Sequence, residues 1–397
     1  MIGKKLKILQ VTPFYYPAWA YGGAPRVVYE LSGALAKRGH DVTVYTTDVL
    51  DEASRYSCND NRANVEGVKV IYFKNLSNSL AYNHQGYLPL GLMKTVRESL
   101  SGFDVIHLHC HRHLLNNIVR HFAVKLKKPY IFSAHGTVLR IQRKIFIKAL
   151  YDILLGNRIL KHASHFVAVS EREAMQYQNS GVHKDMISVI YNGIDAHNFD
   201  DLPAKNIFRN QYGLKDSKVI LYLGRISSEK GLDFLVRAFS SIRRDDTVLV
   251  IAGNDMGFKK TVEKVIESEH ASGKVIFSGL LEGDMKKAAY QDADLVVLPS
   301  SHEIFGLVPF EAIMCGSPVI VTDTCGCSEI IGKEDIGYVV KYNDLNGLRQ
   351  KIMDILENRD IAMGKVKKGQ KFIKNALSWE GTGYRYEQLY LDIVLKK

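Results

Sequence analysis

The chain has 397 residues, too many for one comfortable hydrophobic core and enough for two domains of ordinary size. Its composition, with 46% hydrophobic and 24% charged residues, is globular, and no apolar run approaches the ~18 residues that would span a membrane. The five scattered cysteines match no disulfide framework, so we expect reduced thiols and a cytoplasmic protein.

The formal net charge of +11 lies entirely in the first half of the chain. Residues 1–195 hold 25 lysines and arginines against 14 aspartates and glutamates, whereas residues 196–397 hold 28 of each. Within the first half, residues 120–161 hold ten basic residues and one acid, Asp152. This one-sided field predicts an anionic partner of the first half: a membrane surface, a phosphorylated acceptor or nucleic acid.

Short apolar or β-branched runs alternate with amphipathic stretches in two successive series. The first series predicts strands over Lys7–Thr12, Asp41–Thr46, Val68–Phe73, Asp104–His109, Pro129–Ala134 and His165–Ser170. The second predicts strands over Lys218–Gly224, Thr247–Ala252, Lys274–Ser278, Asp294–Pro299, Pro318–Thr322 and Gly337–Val340. Nearly continuous apolar strands are typical of parallel sheets. The fold class is therefore α/β, with two doubly wound, Rossmann-like domains facing a central cleft.

The change between the two series falls at residues 192–199, where Asn192-Gly193 is a turn signal. We therefore predict an N-terminal domain over residues 1–195 and a C-terminal domain over residues 196–379. Doubly wound domains bind ligands beyond the carboxyl ends of their strands, so the chemistry is expected in loops that follow strands.

The segment after the strand ending at Pro299 carries two carboxylates, Glu303 and Glu311, with seven residues between them. Pro309 suits the first turn of a helix and Gly316 its left-handed end, so Glu303 falls in the loop and Glu311 in the helix. Free amides at this helix start favour a diphosphate, and the carboxylates would accept hydrogen bonds from sugar hydroxyls. The alternative is an ordinary helix with a chance second acid.

Two cations, Arg225 and Lys230, follow the strand that ends at Gly224. An arginine offers a two-pronged donor to phosphate and a lysine adds a point charge, so both would hold a departing diphosphate more tightly as its charge develops. The alternative is a solvated charged turn.

Two loops of the first half also follow strands. Gly22 and Gly23 permit close approach of a ligand to the backbone, without the spacing of a dinucleotide fingerprint. His135 stands at a strand end before Gly136, facing the expected cleft, where it would bind a hydroxyl or transfer a proton. The alternative for His135 is a structural histidine.

The histidines at 107, 109, 111 and 113 would share one face if their strand continued that far. Their spacing fits no zinc site, so we expect no metal and interpret them as a rim of the acceptor side, with His109 nearest.

Backbone groups of further loops complete the candidate site. Gly253 and Leu281 follow two strands of the second half and are predicted to hold a nucleobase, while the amides of Gly326-Cys327-Ser328-Glu329 are expected to reach the diphosphate or the sugar.

Together these segments resemble the retaining glycosyltransferases of family 4, or group 1, which have the GT-B fold. The matching segments are Tyr21-Gly22-Gly23, Ala134-His135-Gly136-Thr137, Asn192-Gly193-Ile194-Asp195, Gly224-Arg225, Lys230-Gly231 and Glu303 to Glu311. The resemblance implies a nucleotide-diphosphate sugar as donor substrate, retention of anomeric configuration, and neither metal nor other cofactor. It also implies that the last helix, after Trp379, returns residues 380–397 to the first domain.

The resemblance implies a role for each candidate residue. Arg225 and Lys230 would neutralise the diphosphate, Glu303 would bind the sugar and Glu311 the ribose. The predicted catalytic residues are His135, Arg225, Lys230 and Glu303. The predicted donor-binding residues are Gly22, Gly23, Gly253, Leu281, Phe305, Gly306, Leu307, Val308 and Glu311.

The first domain would hold the acceptor. Arg140, Arg143, Lys144 and Lys148 are interleaved with apolar residues, a pattern typical of helices that lie on anionic bilayers, although an ordinary surface helix has the same pattern. We therefore expect transfer of a hexose, from a UDP-sugar in preference to a GDP-sugar, to a lipid-linked or membrane-associated glycan in cell-surface polysaccharide synthesis. Alternatives are a GT-B epimerase or phosphorylase, and a nucleic-acid-binding protein, which the lack of a recognised binding module disfavours.

Overall fold

The structure is a computed structural model that describes residues 4–57, 59–139 and 145–395. The chain folds into two compact units, the first made of Met1–Gly193 with Trp379–Lys397 and the second of Ile194–Ser378. The division falls within the segment 192–199 that carries the Asn-Gly turn signal.

The first unit contains an eight-stranded sheet with helices in the connections. Its strands are β1 (Lys7–Val11), β2 (Asp41–Thr47), β3 (Arg62–Val65), β4 (Val68–Phe73), β5 (Val105–His109), β6 (Tyr130–Ser133), β7 (His165–Ala168) and β8 (Ile187–Val189). Its helices before residue 194 are α1 (Gly23–Lys37), α2 (Asn78–His84), α3 (Leu92–Ser99), α4 (Leu114–Lys125), α5 (Ile145–Tyr151), α6 (Asn157–His162) and α7 (Glu171–Asn179). The strand order is β3-β4-β2-β1-β5-β6-β7-β8, parallel except for β3 against β4.

The second unit contains a six-stranded parallel sheet. Its strands are β9 (Lys218–Leu223), β10 (Thr247–Ala252), β11 (Val275–Gly279), β12 (Leu295–Leu298), β13 (Val319–Thr322) and β14 (Tyr338–Val340), in the order β11-β10-β9-β12-β13-β14. Its helices are α8 (Ile207–Gln211), α9 (Leu232–Ser240), α10 (Lys259–Ser268), α11 (Gly283–Asp292), α12 (Val308–Met314), α13 (Cys327–Lys333), α14 (Leu345–Glu357) and α15 (Arg359–Ala376).

The last helix, α16 (Trp379–Leu395), belongs to the first unit and packs on α1. The contact is close, because a Cβ added at Gly383 would lie 2.9 Å from the Cβ of Ala34. Glu387 Oε2 of α16 accepts a hydrogen bond of 2.9 Å from Arg38 Nε, and Glu387 Oε1 lies 2.9 Å from His40 Nε2. The predicted return of the C-terminal helix is therefore confirmed.

All twelve predicted strands are confirmed, with ends that differ by at most two residues. β3 and β8 were not predicted. β3 is a polar strand that forms an antiparallel edge with β4, and β8 has three residues at the opposite edge. Neither has the apolar run by which a buried strand is recognised.

The order of the strands fixes where a ligand can bind in each unit. In the first sheet, β2 to β4 lie on one side of β1, and β5 to β8 lie on its other side. In the second sheet, β10 and β11 lie on one side of β9, and β12 to β14 lie on its other side. The strand order therefore reverses between β1 and β5 and between β9 and β12. In doubly wound sheets, ligands bind at the carboxyl ends of strands beside such a reversal. In the second unit the predicted cations follow β9 and the predicted carboxylates follow β12.

Candidate active site

The turn after β9 packs so closely against its neighbours that two glycines, one in the turn and one after β10, have backbone atoms where a side chain would lie. A Cβ added at Gly253 would overlap the carbonyl oxygen of Gly224, and one at Gly231, where φ is +63°, would overlap that of Pro299. Gly231 ends the single 3-10 turn Ser228–Lys230 and starts α9. Only glycine therefore permits this turn to lie against the loop that follows β12.

Lys230 and Glu303 form an ion pair across these two loops. Lys230 Nζ donates to Glu303 Oε2, and only 11% of the lysine side chain is exposed. The backbone supports the pairing, because the Ser301 N–H donates to the Glu229 carbonyl at 2.9 Å. Two predicted catalytic residues, 73 positions apart in sequence, are thus in direct contact.

The charge of the Glu303 carboxyl is maintained by its neighbours. Burial alone would raise its pKa, but the charge and hydrogen bond of Lys230, helped by the charges of Arg225 and His302, hold the pKa below its ordinary value. Glu303 is therefore ionised near neutral pH, in the form that accepts hydrogen bonds.

Arg225 remains accessible. Its side chain is 54% exposed, and its Nη2 lies 3.8 Å from Glu229 Oε1, beyond hydrogen-bonding distance. Its guanidinium is consequently able to engage an anionic ligand next to the paired Lys230.

Glu311 is held by two residues of α11 that the sequence analysis missed. Tyr290 donates from its hydroxyl to Glu311 Oε2 at 2.9 Å, and Lys286 Nζ forms an ion pair with the same oxygen at 2.6 Å. The predicted positions are confirmed: Glu311 lies inside α12, and Gly316, with φ of +96°, follows its end. No local sequence motif predicts the contact of Lys286 and Tyr290 with Glu311, because this contact depends on how α11 packs against α12.

The backbone amides near these carboxylates divide into two groups. Among the described residues, the N–H groups of Gly306, Leu307 and Val308 have no hydrogen-bond acceptor. By contrast, the Gly326 N–H donates to the Glu303 carbonyl at 2.8 Å and the Cys327 N–H to the Phe305 carbonyl at 2.7 Å. The expectation that the Gly326 and Cys327 amides reach a ligand was wrong, because they bind the loop that carries Glu303.

The remaining predicted donor-binding residues of the second unit lie at two neighbouring strand ends. Gly253 follows β10, and its N–H donates to the Gly279 carbonyl at 2.8 Å, which ties it to the end of β11. Leu281 follows with a buried side chain, and Phe305 is buried and stacked on Phe310. Their roles in donor binding stay predictions.

In the first unit, Gly22 and Gly23 lie at the start of α1. Gly22 caps the helix with φ of +94°, and a Cβ added at either position would meet nothing within 4 Å. Open space in front of a helix start is compatible with the predicted approach of a ligand, which stays a prediction.

His135 lies in a strained loop after β6 that α7 holds in place. Its φ is +50°, and the next residue, Gly136, donates its N–H to Glu173 Oε1 at 2.6 Å. The other oxygen of Glu173 accepts the Val169 N–H at 2.8 Å. Burial raises the pKa of the Glu173 carboxyl to about 7, although both backbone hydrogen bonds oppose this rise. Glu173, which no sequence motif singled out, therefore fixes the loop that carries His135.

The interpretation of the histidine cluster as an exposed rim was wrong. β5 ends at His109, and Cys110 and Arg112 have φ of +61° and +62°, so the strand does not continue to His111 and His113. His109 is fully buried. Its side chain lies within a hydrogen-bonded core, because β1, β6 and α16 surround the end of β5.

The basic stretch is only partly described. Arg140, Arg143 and Lys144 lie outside the described residues. Lys148 is half-buried, and burial, followed by the charge of Arg112, lowers its pKa. Beside it, α5 and the π-helical segment Asp152–Gly156 present exposed apolar side chains: Phe146 (91% exposed), Ile147, Leu150, Ile153 and Leu154. The ordinary-helix alternative, with this apolar face in the core, does not hold for these residues.

Neither a metal cluster nor a membrane-spanning helix is present in the described part of the chain. No group of three or more histidine, cysteine, aspartate or glutamate side chains there is arranged to hold a metal ion. None of the described helices combines the length and apolarity that crossing a membrane requires.

Comparisons with known proteins agree with this architecture. The family profile described as Glycosyl transferases group 1 matches residues 204–379, and that described as Glycosyltransferase Family 4 matches residues 21–198. A glycosyltransferase of Methanocaldococcus jannaschii is 28% identical over 394 residues, covering 97% of this chain and 98% of that protein. N-acetyl-alpha-D-glucosaminyl L-malate synthase of Bacillus anthracis is 24% identical over 389 residues, covering 96% of each chain.

A solved structure shows the same fold over nearly the full length. The crystal structure of Anabaena HepE in complex with UDP and glucose has a TM-score of 0.75 and 18% identity, covering 98% of this chain and 100% of that one. Two parallel-sheet α/β domains of this kind define a GT-B protein. The two family profiles together span most of the chain, which therefore belongs to the group 1, family 4 glycosyltransferases and is a transferase.

Proposed function

We propose that this enzyme transfers a hexose from a nucleotide-diphosphate sugar, UDP in preference to GDP, to a lipid-linked or membrane-associated glycan, with retention of anomeric configuration. The observation that carries the proposal is the contact between Lys230 and Glu303 beside the accessible Arg225. Two cations and an ionised carboxylate at the β9–β12 reversal match a ligand that joins a diphosphate to a hydroxyl-rich sugar.

The charges suit departure of a nucleoside diphosphate. As the bond between the sugar and the diphosphate breaks, negative charge grows on the diphosphate, and fixed cations bind that state more tightly than the ground state. Arg225 and Lys230 supply this charge without a metal. Glu303 accepts hydrogen bonds from the sugar, Glu311 from the ribose, and His135 contacts the sugar.

A panel of UDP- and GDP-sugars tests the donor assignment. We expect one UDP-sugar to raise the melting temperature of the wild-type protein by about 2–5 °C and to be hydrolysed slowly without acceptor. Arg225→Ala and Glu311→Ala should abolish the stabilisation. A response to oligonucleotides but to no nucleotide sugar would refute the proposal, and turnover that needs free phosphate would favour the phosphorylase alternative.

The acceptor assignment rests on the exposed apolar face of α5 and the following segment. Apolar side chains such as Phe146 and Ile153 stand in solvent within a region, residues 120–161, that has ten basic residues and one acid. Apolar residues flanked by cations are typical of surfaces that insert into the headgroups of an anionic bilayer. We therefore place the enzyme at the inner face of a membrane.

Vesicle sedimentation tests the membrane contact. Phe146→Ser with Ile153→Ser should weaken binding to vesicles containing phosphatidylserine by about tenfold or more, because both apolar anchors are lost. Ile361→Ser is the matched control, since Ile361 is 64% exposed and Ile153 68%, but Ile361 lies on α15 of the second unit. Equal binding of both variants would refute the membrane contact.

A small anionic acceptor is a second candidate. The Bacillus anthracis relative is named N-acetyl-alpha-D-glucosaminyl L-malate synthase, and malate is a dicarboxylate that the positive first half could attract. With the identified donor, transfer to malate but not to lipid-linked glycans would decide for this candidate.

A further inference from the structure

A continuous series of hydrogen-bonded polar side chains crosses the core of the first unit. His135 Nε2 lies 2.9 Å from His109 Nδ1, and His109 Nε2 lies 2.6 Å from Gln10 Oε1. Gln10 Nε2 donates to the Tyr390 hydroxyl at 3.4 Å, and that oxygen lies 2.7 Å from His107 Nδ1. This series of side chains therefore links the loop after β6 to α16 through β5 and β1.

The order of donors and acceptors among Gln10, His109 and His135 determines the tautomers of the two histidines. Gln10 Oε1 has no hydrogen, so His109 Nε2 must donate to it. A neutral His109 then has its lone pair on Nδ1, and this nitrogen accepts from His135 Nε2–H. The single proton of a neutral His135 is thereby placed on Nε2, and Nδ1 is left as an acceptor.

Both imidazoles are neutral near pH 7. Burial, followed by the charges of His107 and His135, lowers the pKa of His109 well below its ordinary value. Burial lowers the pKa of His135 to about 4. In the described part of the chain, His135 Nδ1 has no hydrogen-bond partner, so its lone pair is available.

We propose that His109, anchored by Gln10, is a positioning residue that fixes His135 as the Nε2–H tautomer and so makes its Nδ1 a hydrogen-bond acceptor for a hydroxyl of the donor sugar. The contact is a hydroxyl O–H donating to nitrogen, and no proton is transferred. An acceptor nitrogen selects hydroxyl groups and disfavours the oxygens of a diphosphate, which only accept. The inference rests on the proposed function for its ligand, but the tautomer itself does not.

The parallel ring planes of His109 and His135 support a fixed arrangement. Their centroids are 5.3 Å apart with an interplanar angle of 11°, and the backbone of His135 is held on its other side by Glu173 through Gly136. A histidine that merely filled space would not need a defined hydrogen-bond order reaching to Gln10.

The tautomer is measured directly by long-range ¹H–¹⁵N correlation spectroscopy of the full chain labelled at histidine nitrogens. His135→Asn identifies the signals of His135. We expect Nε2 of His135 to be protonated and Nδ1 to be unprotonated in the wild-type protein without ligand. A proton on Nδ1, or a mixture of both tautomers, overturns the inference.

Substitutions at Gln10 test whether His109 transmits the order. Gln10→Glu keeps an oxygen acceptor for His109 Nε2–H, so the His135 tautomer should be unchanged. Gln10→Leu removes that acceptor, and His135 should become a mixture of tautomers. Unchanged His135 signals in a folded Gln10→Leu protein would overturn the role of His109.

Binding of UDP-glucose and of UDP separates this role from a structural one. Gln10→Leu should weaken UDP-glucose binding about three- to tenfold, the effect of one hydrogen bond, and leave UDP binding unchanged because UDP lacks the glucosyl group. If Gln10→Leu weakened the binding of UDP-glucose and of UDP equally, the role of Gln10 would be structural. If wild-type protein binds neither ligand, the donor assignment fails, while the spectrum of the free protein still decides the inference.

Discussion

The contact between Lys230 and Glu303 bears on stability as well as on the catalytic role that we propose for both residues. Their ion pair is largely buried, so each charge depends on the other for its solvation. Removing one partner leaves a poorly solvated charge, whereas removing both leaves none. Arg225 differs because its side chain is mostly exposed and its nearest carboxylate is 3.8 Å away.

Lys230→Met should therefore damage both stability and activity. We expect a loss of about 2 kcal/mol in unfolding free energy, because Glu303 loses the cation that holds its pKa down, and about a hundredfold loss in kcat/KM. Urea unfolding and donor hydrolysis measure the two effects.

Two variants separate these effects. Lys230→Met combined with Glu303→Gln should regain stability but not activity, since no charge is left unpaired. Arg225→Met should reduce activity alone. If the single Lys230→Met protein were as stable as wild type, the ion pair would contribute nothing to the free energy of unfolding.

The candidate residues whose positions were predicted correctly share a sequence signal, and those that were missed do not. Arg225, Lys230 and Glu303 directly follow apolar strands, so the rule for parallel sheets placed them at one edge. Lys286 and Tyr290 reach Glu311 from the face of a neighbouring helix. That contact is set by tertiary packing, which periodicity does not encode.

At the scale of elements, the loop after β6 depends on the helix α7. Glu173, at the third position of α7, accepts N–H groups from Gly136 and Val169 with its two oxygens. Ser170 caps the same helix by accepting the Glu173 N–H at 3.1 Å. One helix start thus fixes the two strand-end loops that follow β6 and β7.

The raised pKa of Glu173 predicts a pH dependence of stability. The carboxyl titrates at about 7 in the folded protein and at an ordinary 4.5 otherwise, so the folded state binds the proton more tightly between these values. Stability should therefore fall as pH rises from about 4.5 to 7, by about 1.4 kcal/mol per unit at most, and be unaffected by this group at higher pH.

Glu173→Gln isolates this contribution because glutamine does not titrate. Melting temperatures of both proteins, measured from pH 4.5 to 8, should show a shallower fall for the variant below pH 7. The variant should also be less stable overall, since its amide NH₂ faces one of the two N–H donors. Parallel curves would contradict the assignment of the titration to Glu173.

The strands were predictable as elements because each is a short apolar run between turn signals. The end of β5 at His109 was predicted too, but the course of the chain beyond it was not, because no glycine or proline marks the left-handed backbone at Cys110. The surroundings of His107 at this strand end also depend on α16, because the Tyr390 hydroxyl, 283 residues further along the chain, lies 2.7 Å from its Nδ1.

At the scale of the whole molecule, the first unit is closed by the end of the chain. α16 packs on α1 and supplies Tyr390 to the hydrogen-bonded polar side chains of the core. The core of the first unit is therefore complete only when residues 379–395 have folded onto it. The approach of the two helices is controlled by small residues, above all Gly383 opposite Ala34.

Gly383→Ala and Gly33→Ala form a matched pair that tests this closure. Both glycines lie inside helices, where alanine is favoured by about 1 kcal/mol. A Cβ at Gly33 of α1 meets nothing within 4 Å, so that variant should be more stable. At Gly383 the Cβ meets Ala34 at 2.9 Å, and overpacking should cost about 1–3 kcal/mol, which outweighs the gain in propensity.

Urea unfolding followed by tryptophan fluorescence reads out this unit alone, because the chain's two tryptophans, Trp19 and Trp379, both belong to it. The unfolding midpoint should rise for Gly33→Ala and fall for Gly383→Ala. If both midpoints rose, α16 would have room to move away from α1 at no cost. The closure by α16 would then be loose, and Tyr390 would not be held firmly against Gln10 and His107.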